Sequence, residues 1–388
     1  MADDASPQSP APPLIYEPWF DRAEYDGRLA RVQARLRAGG HDALLAFLPE
    51  SVTWLTGFFT RGYGSFQFAI VPAEGAPCLV CRDVEAFYLD ATSVYPDRAL
   101  WTDTDVPVSV GAAAIRDRLG PSPALAVEMG AWPLSAARLA ALREALPGAR
   151  WTEASRLVTD LRLVKSPAEI ALQRRAGHAA EAGMQAAIDS VGAGVTEREM
   201  AAEICAAMIR AGSDLPGPGV MSSGARAFHL HGGYSDRVLE PGDIVQIEVT
   251  PNVRHYHARF MRPIRVAPLQ DDDEDVVARL IAIQDAALAE VRPGVEARVP
   301  DAVYRDGVLS AGLRESYTNK TFYSVGLLLQ PSGGEPLEAT PEATWRFEPG
   351  MVFHTYVLAR GFGMSETIAI TETGHERLTR FPRQLFTR

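Results

Sequence analysis

"LRLVKSPAEIALQRRAGHAAEAGMQAAIDSV", Leu161–Val191, is the stretch at which the character of the chain changes. Ser166 stands as an N-cap and Pro167 takes the first helical position, where a missing N–H costs nothing. Glu169 falls three residues after the cap, the spacing of a capping box. The Ala-rich run behind them predicts a long helix. Upstream, helix and strand patterns alternate. A helix ends at Gly39–Gly40 and the strand "ALLAFL" follows; "FQFAIVP" and "PCLVCR" are strands joined as a hairpin through "AEGA"; "PALAVE" is a strand before the helix "LSAARLAALREAL". This alternation predicts an α/β domain over residues 19–160. Downstream, the helices "TEREMAAEICAAMIRAG" and "DEDVVARLIAIQDAALAEV", each with a capping residue, are interleaved with the strands around Glu248, "YSVGLLLQ", "MVFHTYVLA" and "SETIAITETG". That pattern predicts an α+β domain over residues 161–388 with antiparallel strands. Residues 1–18, acidic and Pro-rich with no apolar core, read as a disordered tail rather than a signal peptide.

The composition is that of a globular protein: 388 residues, 47% hydrophobic and 22% charged, with a net charge of −11. An acidic chain argues against nucleic acid or an anionic membrane surface as its partner. No run of about 18 apolar residues is present, which argues against a transmembrane helix. Cys78 and Cys81 have C-x-x-C spacing, but "PCLVCRD" reads as strand and no second pair completes a zinc site. The expected location is a reducing cytoplasm.

Four of the eight histidines fall in two H-x-H pairs: His229 and His231 in "FHLHGG", and His255 and His257 in "GDIVQIEVTPNVRHYHARFMRP", Gly242–Pro263. In extended segments each pair shares one face. Between the pairs lies Glu248, in the apolar strand "IVQIEVT". A carboxylate is seldom buried there without partners. Burial raises its pKa and a neighbouring imidazolium lowers it, a tension typical of acid–base or nucleophilic sites. Alternation also places His354 and Tyr356 on one face of "GMVFHTYV". Glu366 opens the strand "SETIAI" and is a candidate to converge on the same site. Arg262 is a candidate to pair a substrate carboxylate bidentately, or else to form a structural salt bridge.

The order "LRLVKSPAEIALQRRA", "EPGDIVQIEV", "FEPGMVFHTY", "ITETGHERLT" resembles the creatinase / aminopeptidase P / prolidase superfamily over about residues 20–385. The resemblance implies a small α/β N-terminal domain and a "pita-bread" C-terminal domain. Peptidases of that superfamily hold two metal ions with two Asp, one His and two Glu. Carried over, those positions fall on Glu248, Arg259, Tyr323, Tyr356 and Ser365, with Glu366 one place away. A dinuclear hard-cation site needs several carboxylates, so the resemblance implies a branch that works without metal. Creatinase acts through a histidine before "GD", a position that falls on His231; its glutamate before the second-strand Arg falls on Met261, which disfavours creatine. The motifs "IEV…YHA…MR", "YSVGL", "PGMVFH" and "MSET" are closer in flavour to the ectoine-hydrolase-like members, in which a glutamate after "GD" and nearby histidines act without metal. Tyr323 would then donate a hydrogen bond where a ligand histidine stands in relatives. The segment Phe58–Phe68 resembles the loop that reaches the partner subunit's site in the creatinase relatives. That makes Arg61, Tyr63 and Phe66 candidates for substrate contact, Phe66 having hairpin packing as its alternative.

The expectation is a homodimeric, cofactor-free hydrolase of a C–N bond in a small zwitterionic compound: a cyclic amidine, a guanidino acid or a related amide. His231 would relay a proton and Glu248 would be nucleophile or general base. His257, Tyr323 and Glu366 would orient substrate or stabilise the intermediate, with His229, His354 and Tyr356 as contacts. Three alternatives stay open. The histidine pairs could hold one metal ion for a hydrolase or Xaa-Pro-type peptidase, the chemistry could be that of a lyase, or the domain could bind without turnover.

Overall fold

The computed structural model describes residues 17–217, 219–329 and 334–388. Most of the expected N-terminal tail, residues 1–16, lies outside the described residues. The chain divides into two compact units between Val158 and Thr159.

The first unit is an α/β layer. Helix α1 (Arg22–Ala38) starts at an Asp21 cap and stops at Gly39. It is followed by β1 (Ala43–Ala46), α2 (Pro49–Thr56), β2 (Phe68–Pro72), β3 (Cys78–Arg82), α3 (Ala86–Thr92), β4 (Arg98–Trp101), α4 (Pro107–Leu119), β5 (Ala124–Val127), α5 (Ala136–Ala145) and β6 (Arg150–Glu153). The strands form one mixed sheet in the order β4-β3-β2-β1-β5-β6. The hairpin through "AEGA" joins β2 to β3 antiparallel. Cys78 and Cys81 are buried in β3, and burial pushes both thiols up to about 12, so neither carries reactive thiolate.

Helix α6 (Arg156–Arg162) precedes α7 (Pro167–Ser190), whose Ser166–Glu169 capping box is formed in both directions. Helix α8 (Glu197–Arg210) packs on α7 and carries the same device at Thr196 and Glu199. Next come β7 (Val220–Ser223), β8 (Ile244–Val249), β9 (Asn252–Val253), β10 (Tyr256–His257), β11 (Phe260–Met261), β12 (Ile264–Arg265), α9 (Asp273–Ala289), α10 (Arg298–Ser310), β13 (Phe322–Ser324), β14 (Glu338–Ala339), β15 (Val352–Ala359), β16 (Phe362–Ile370), β17 (His375–Arg377) and β18 (Phe386–Thr387). Against expectation, α9 begins without a side-chain cap; Asp272 is itself helical there.

Strand β8 is the centre of one antiparallel group. It pairs with β7 on one side and with β11 and β12 on the other. The register is the same for both halves, Met261↔Glu248 and Ile264↔Val245. The interruption between them is Pro263, which has no N–H to give a ladder. Strand β18 adds to β12 in parallel, Ile264↔Phe386. The second group runs β14-β13-β15-β16-β17. Its central hairpin turns at Arg360 and Gly361, both with positive φ, as a two-residue turn matched to strand twist requires. The core of this unit lies between these strands and the helices: Met184, Met200 and Ile204 pack with Val245 and Ile247, and Leu280, Tyr304 and Val308 pack with Phe353 and Ile368. Among the described residues no helix is long and apolar enough to cross a membrane.

Candidate active site

Every residue of β8 is buried, including Glu248, which is 6% exposed. Its main chain is pinned from behind. Gly219, at φ +73°, lies so close that a Cβ built there would stand 1.7 Å from the Glu248 carbonyl oxygen. Facing residues of antiparallel neighbours share a side of the sheet, so the Met261↔Glu248 register puts Arg259, two residues earlier, on the Glu248 side. In the other strand group Tyr323 faces His354, and Tyr356 faces Ser365. These residues converge on the same carboxylate.

The Tyr323 hydroxyl donates to Glu248 Oε1 at 3.4 Å. Arg259 Nη1 lies 3.8 Å from Oε1 and donates to the Tyr323 oxygen at 3.1 Å. His354 Nδ1 is 3.9 Å from Oε1. Tyr356 stacks on His354 at 5.4 Å between centroids, and its hydroxyl accepts from Asn319 Nδ2 at 3.2 Å. Lys320 Nζ sits 5.0 Å from the centre of the Tyr323 ring. Three buried nitrogens in this cluster have no hydrogen-bond partner among the described residues: Arg259 Nε and both ring nitrogens of His354. Unpartnered buried donors are rare in folded proteins and mark sites where another molecule completes the set.

Burial pushes the Glu248 carboxyl above the usual carboxylate range; Arg259, the Tyr323 hydroxyl and the charge of His231 pull the other way. Burial holds His354 neutral, well below the usual imidazole range, helped by the positive charges of Arg259 and Lys320. The Tyr323 phenol is pushed up, mainly by burial, so it acts as a donor and not as a phenolate.

The histidine pairs behave differently from the expectation of two extended segments. Arg254 and His255 both have positive φ, 49° and 61°, and form the tight turn between β9 and β10. His255 is therefore a turn residue and does not share a strand face with His257. His257 is tied down: Nε2 meets the Leu328 carbonyl at 3.0 Å, its N–H donates to Gly326 O, and its carbonyl accepts from Gln173. Burial drives its imidazole down to about 3. His229 and His231 follow the 3-10 turn Gly224–Phe228 and are exposed, His231 with a left-handed φ of 66°. Of these four histidines, His231 adds its charge to that of Arg259 in acting on the Glu248 carboxyl.

Two further candidates do not join the cluster. Glu366 faces Thr355, on the side of the sheet away from His354 and Tyr356. Its carboxylate pairs with Arg262 at 2.8 Å and accepts from Thr379. Ser365, one residue earlier, faces the site and accepts from the Met261 N–H at 2.6 Å. Arg262 gives all five of its N–H groups away, to the carbonyls of Pro382, Met261, Ser365 and Phe381 and to Glu366, which leaves none for a substrate. In the first unit, Phe66 is 4% exposed and packs against Phe47 and Phe68, as core and not contact surface. Tyr63 is half-buried against Trp132 and Arg61 is exposed. The residue that pattern reading passed over as a group with a role of its own is Arg259. The signal was its even spacing from Met261, once the β8–β11 register is known.

The dinuclear centre implied by the resemblance does not fit these side chains. Glu248 is the one carboxylate in the set, and Arg259 fixes a positive charge 3.8 Å from it. Tyr323, Tyr356 and Ser365 fill the other positions, and two protonated phenols and a serine are poor ligands for hard cations. Among the described residues no group of three or more His, Cys, Asp or Glu is arranged to hold a metal ion, so the histidine pairs do not assemble a ligand set either.

Comparison with known proteins agrees with the architecture. Residues 28–164 match the Creatinase/Prolidase N-terminal domain and residues 171–372 match metallopeptidase family M24. The chain is 27% identical over 398 residues to the ectoine hydrolase of Halomonas elongata, covering 95% of this chain and 98% of the relative. The dipeptidase PepE of Mycobacterium ulcerans superposes with a TM-score of 0.82 at 26% identity, covering 95% and 99% of the two chains. The prolidase of Pyrococcus horikoshii shares the fold, with a TM-score of 0.81 at 21% identity over 92% and 99%. The alternating strands, the capped helices and these matches agree on one assignment: the chain belongs to metallopeptidase family M24, as a pita-bread hydrolase with a creatinase-type N-terminal domain.

Proposed function

We propose that this protein hydrolyses a C–N bond in a small zwitterionic compound without a metal ion, with Glu248 as the general base. The observation that carries the reading is the cluster around Glu248: one desolvated carboxylate, ringed by Arg259, Tyr323 and a neutral His354, where a dinuclear centre would need further carboxylates. A carboxyl held above its usual range is better matched to taking a proton near neutral pH. Glu248 takes a proton from water while the water oxygen bonds to the scissile carbon. As the tetrahedral intermediate collapses, the C–N bond breaks and the nitrogen takes that proton from Glu248. His231, exposed and within electrostatic reach of Glu248, relays protons to solvent. His354 offers the substrate two ring nitrogens that have no hydrogen-bond partner among the described residues.

The likeness to an ectoine hydrolase supports a non-peptide substrate. The likeness to dipeptidase PepE supports a second reading, cleavage of a dipeptide by the same residues. We also propose a cytoplasmic homodimer in which Arg61 and Tyr63 of one subunit complete the site of the other. The test is a turnover screen over cyclic amidines, guanidino acids, N-acyl amino acids and X-Pro dipeptides, with protein dialysed against a strong chelator. Turnover that survives dialysis and is lost in Glu248→Gln supports the reading. Activity that returns only on adding metal overturns it. Mixing Arg61→Ala with His231→Ala subunits tests the shared site by complementation.

A further inference from the structure

We propose that Arg259 is a catalytic residue: its guanidinium, together with the Tyr323 hydroxyl, receives the oxyanion of the tetrahedral intermediate, and the scissile group is a neutral amide. This rests on the base role of Glu248 proposed above. Arg259 and Arg262 lie three residues apart and are both buried, yet they are used in opposite ways. Arg262 spends every donor on the protein. Among the described residues the Arg259 guanidinium makes one hydrogen bond, from Nη1 to Tyr323, and its Nε is buried with no partner. The unspent Nε–Nη2 edge is the side of a guanidinium that binds oxygens in pairs.

The place of the guanidinium beside Glu248 decides its use. Arg259 Nη1 and the Tyr323 oxygen stand 3.8 and 3.4 Å from Glu248 Oε1, too far for strong bonds to it. Water activated by Glu248 attacks a carbon next to that carboxylate. The carbonyl oxygen one bond away then falls among the same donors, where an oxyanion hole places its own at about 2.7–3.1 Å. As water adds, the C=O π pair moves onto oxygen and the charge forms against a fixed cation in a desolvated site. The pair returns to re-form C=O when the C–N bond breaks.

The same charge sorts substrates. A guanidinium or amidinium carries its positive charge at the scissile carbon, and its hydration leaves no oxyanion. Here it would enter beside the fixed charge of Arg259; Lys320, over the Tyr323 ring, is already paired with Glu338. An amide carbonyl meets no such repulsion and uses both donors.

The experiment compares wild type with Arg259→Gln, Arg259→Lys and Arg259→Ala on two compounds whose scissile group is a neutral amide, N-acetylalanine and alanylproline, and on two whose scissile carbon carries positive charge, guanidinoacetate and acetamidine. Thermal melts accompany each variant, and Arg259→Lys keeps the charge near Glu248 should the neutral variants unfold. The expected result is amide turnover by wild type, with kcat lower by about 10²–10³ in Arg259→Gln and KM little changed. Saturable recovery of kcat in Arg259→Ala on adding guanidinium is also expected, which a packing role would not give. An effect on KM alone, or near-normal kcat in a folded variant, overturns the proposal. Glu248-dependent turnover of the cationic compounds in place of the amides also overturns it, while leaving the C–N hydrolase reading intact. No turnover of either class removes that reading and this proposal with it.

Discussion

Arg262 and Glu366 form an ion pair of 2.8 Å with both side chains wholly out of solvent, one sheet face away from the carboxylate of Glu248. Arg377 and Arg383 approach the same Glu366 oxygen at 3.9 and 3.8 Å. The pair is therefore an anchor for strands and for the segment after β17, and it lies apart from the proposed chemistry.

Removing one partner should be expensive. Glu366→Gln leaves a buried guanidinium without its counter-charge, and breaking such a pair costs about 3–5 kcal/mol. Chemical denaturation should show that loss, while kcat of the remaining folded protein stays near wild type. A stable, inactive Glu366→Gln protein would return Glu366 to the site.

Glu248→Gln should do the reverse. The substitution keeps the volume and removes the base, so turnover of whatever substrate the screen finds should fall at least ~10²-fold. The melt should fall less than for Glu366→Gln, because Glu248 and Arg259 stand 3.8 Å apart with no direct hydrogen bond between them, and the variant also relieves a desolvated charge. Measuring kcat and the melt on one preparation separates the two outcomes.

Stability should decline in mild acid because of His257 and His354. Both are held neutral in the fold, His257 down to about 3 against an ordinary value of 6.5. Between those values the unfolded chain binds protons that the native state does not. Stability is therefore full above about 6.5 and lost as pH falls toward 3, by roughly 1.4 kcal/mol per pH unit for each such group. Unfolding free energy of His257→Gln, followed over this range, should show a shallower slope than wild type. An unchanged slope would mean His257 is already protonated in the fold.

Gly219→Ala should damage the site without touching any reactive side chain. The left-handed φ penalises alanine, and its Cβ would collide with the Glu248 carbonyl oxygen. A loss of about 1–3 kcal/mol is expected from the backbone conformation alone, together with a drop in kcat as β8 shifts. Gly233→Ala, which meets nothing within 4 Å, serves as the control. Equal melts and rates for the two variants would show that β8 tolerates the shift.

The sequence exposed what local chemistry writes in short code. The Ser166–Glu169 box, the Gly39 stop and the "AEGA" hairpin are each built by neighbouring residues, and each forms as read. Glu248 was legible because a carboxylate in an apolar strand breaks the pattern. The histidine geometry was not, since the turn at Arg254–His255 uses neither Asn nor Gly, the residues that normally mark positive φ. Whether Ser365 or Glu366 faces the site depends on the phase of β16 against β15, and both readings alternate equally well until the pairing Tyr356↔Ser365 is known. Helix α2 is buried on all sides, so it lacks the polar face that would have revealed its period.

The five-way grip of Arg262 also bears on how quickly this unit finds its fold. Two of the carbonyls it holds, on Phe381 and Pro382, lie 119 and 120 residues along the chain. The β12–β18 ladder closes over a similar distance, Ile264 to Phe386. Such closures exact their entropy before any contact repays it, and they slow folding far more than they weaken the finished state. Refolding from denaturant should therefore be slow and sensitive to Arg262. Until it ends, β8 and its glutamate have an incomplete sheet, leaving unpaired strand edges open to neighbouring chains.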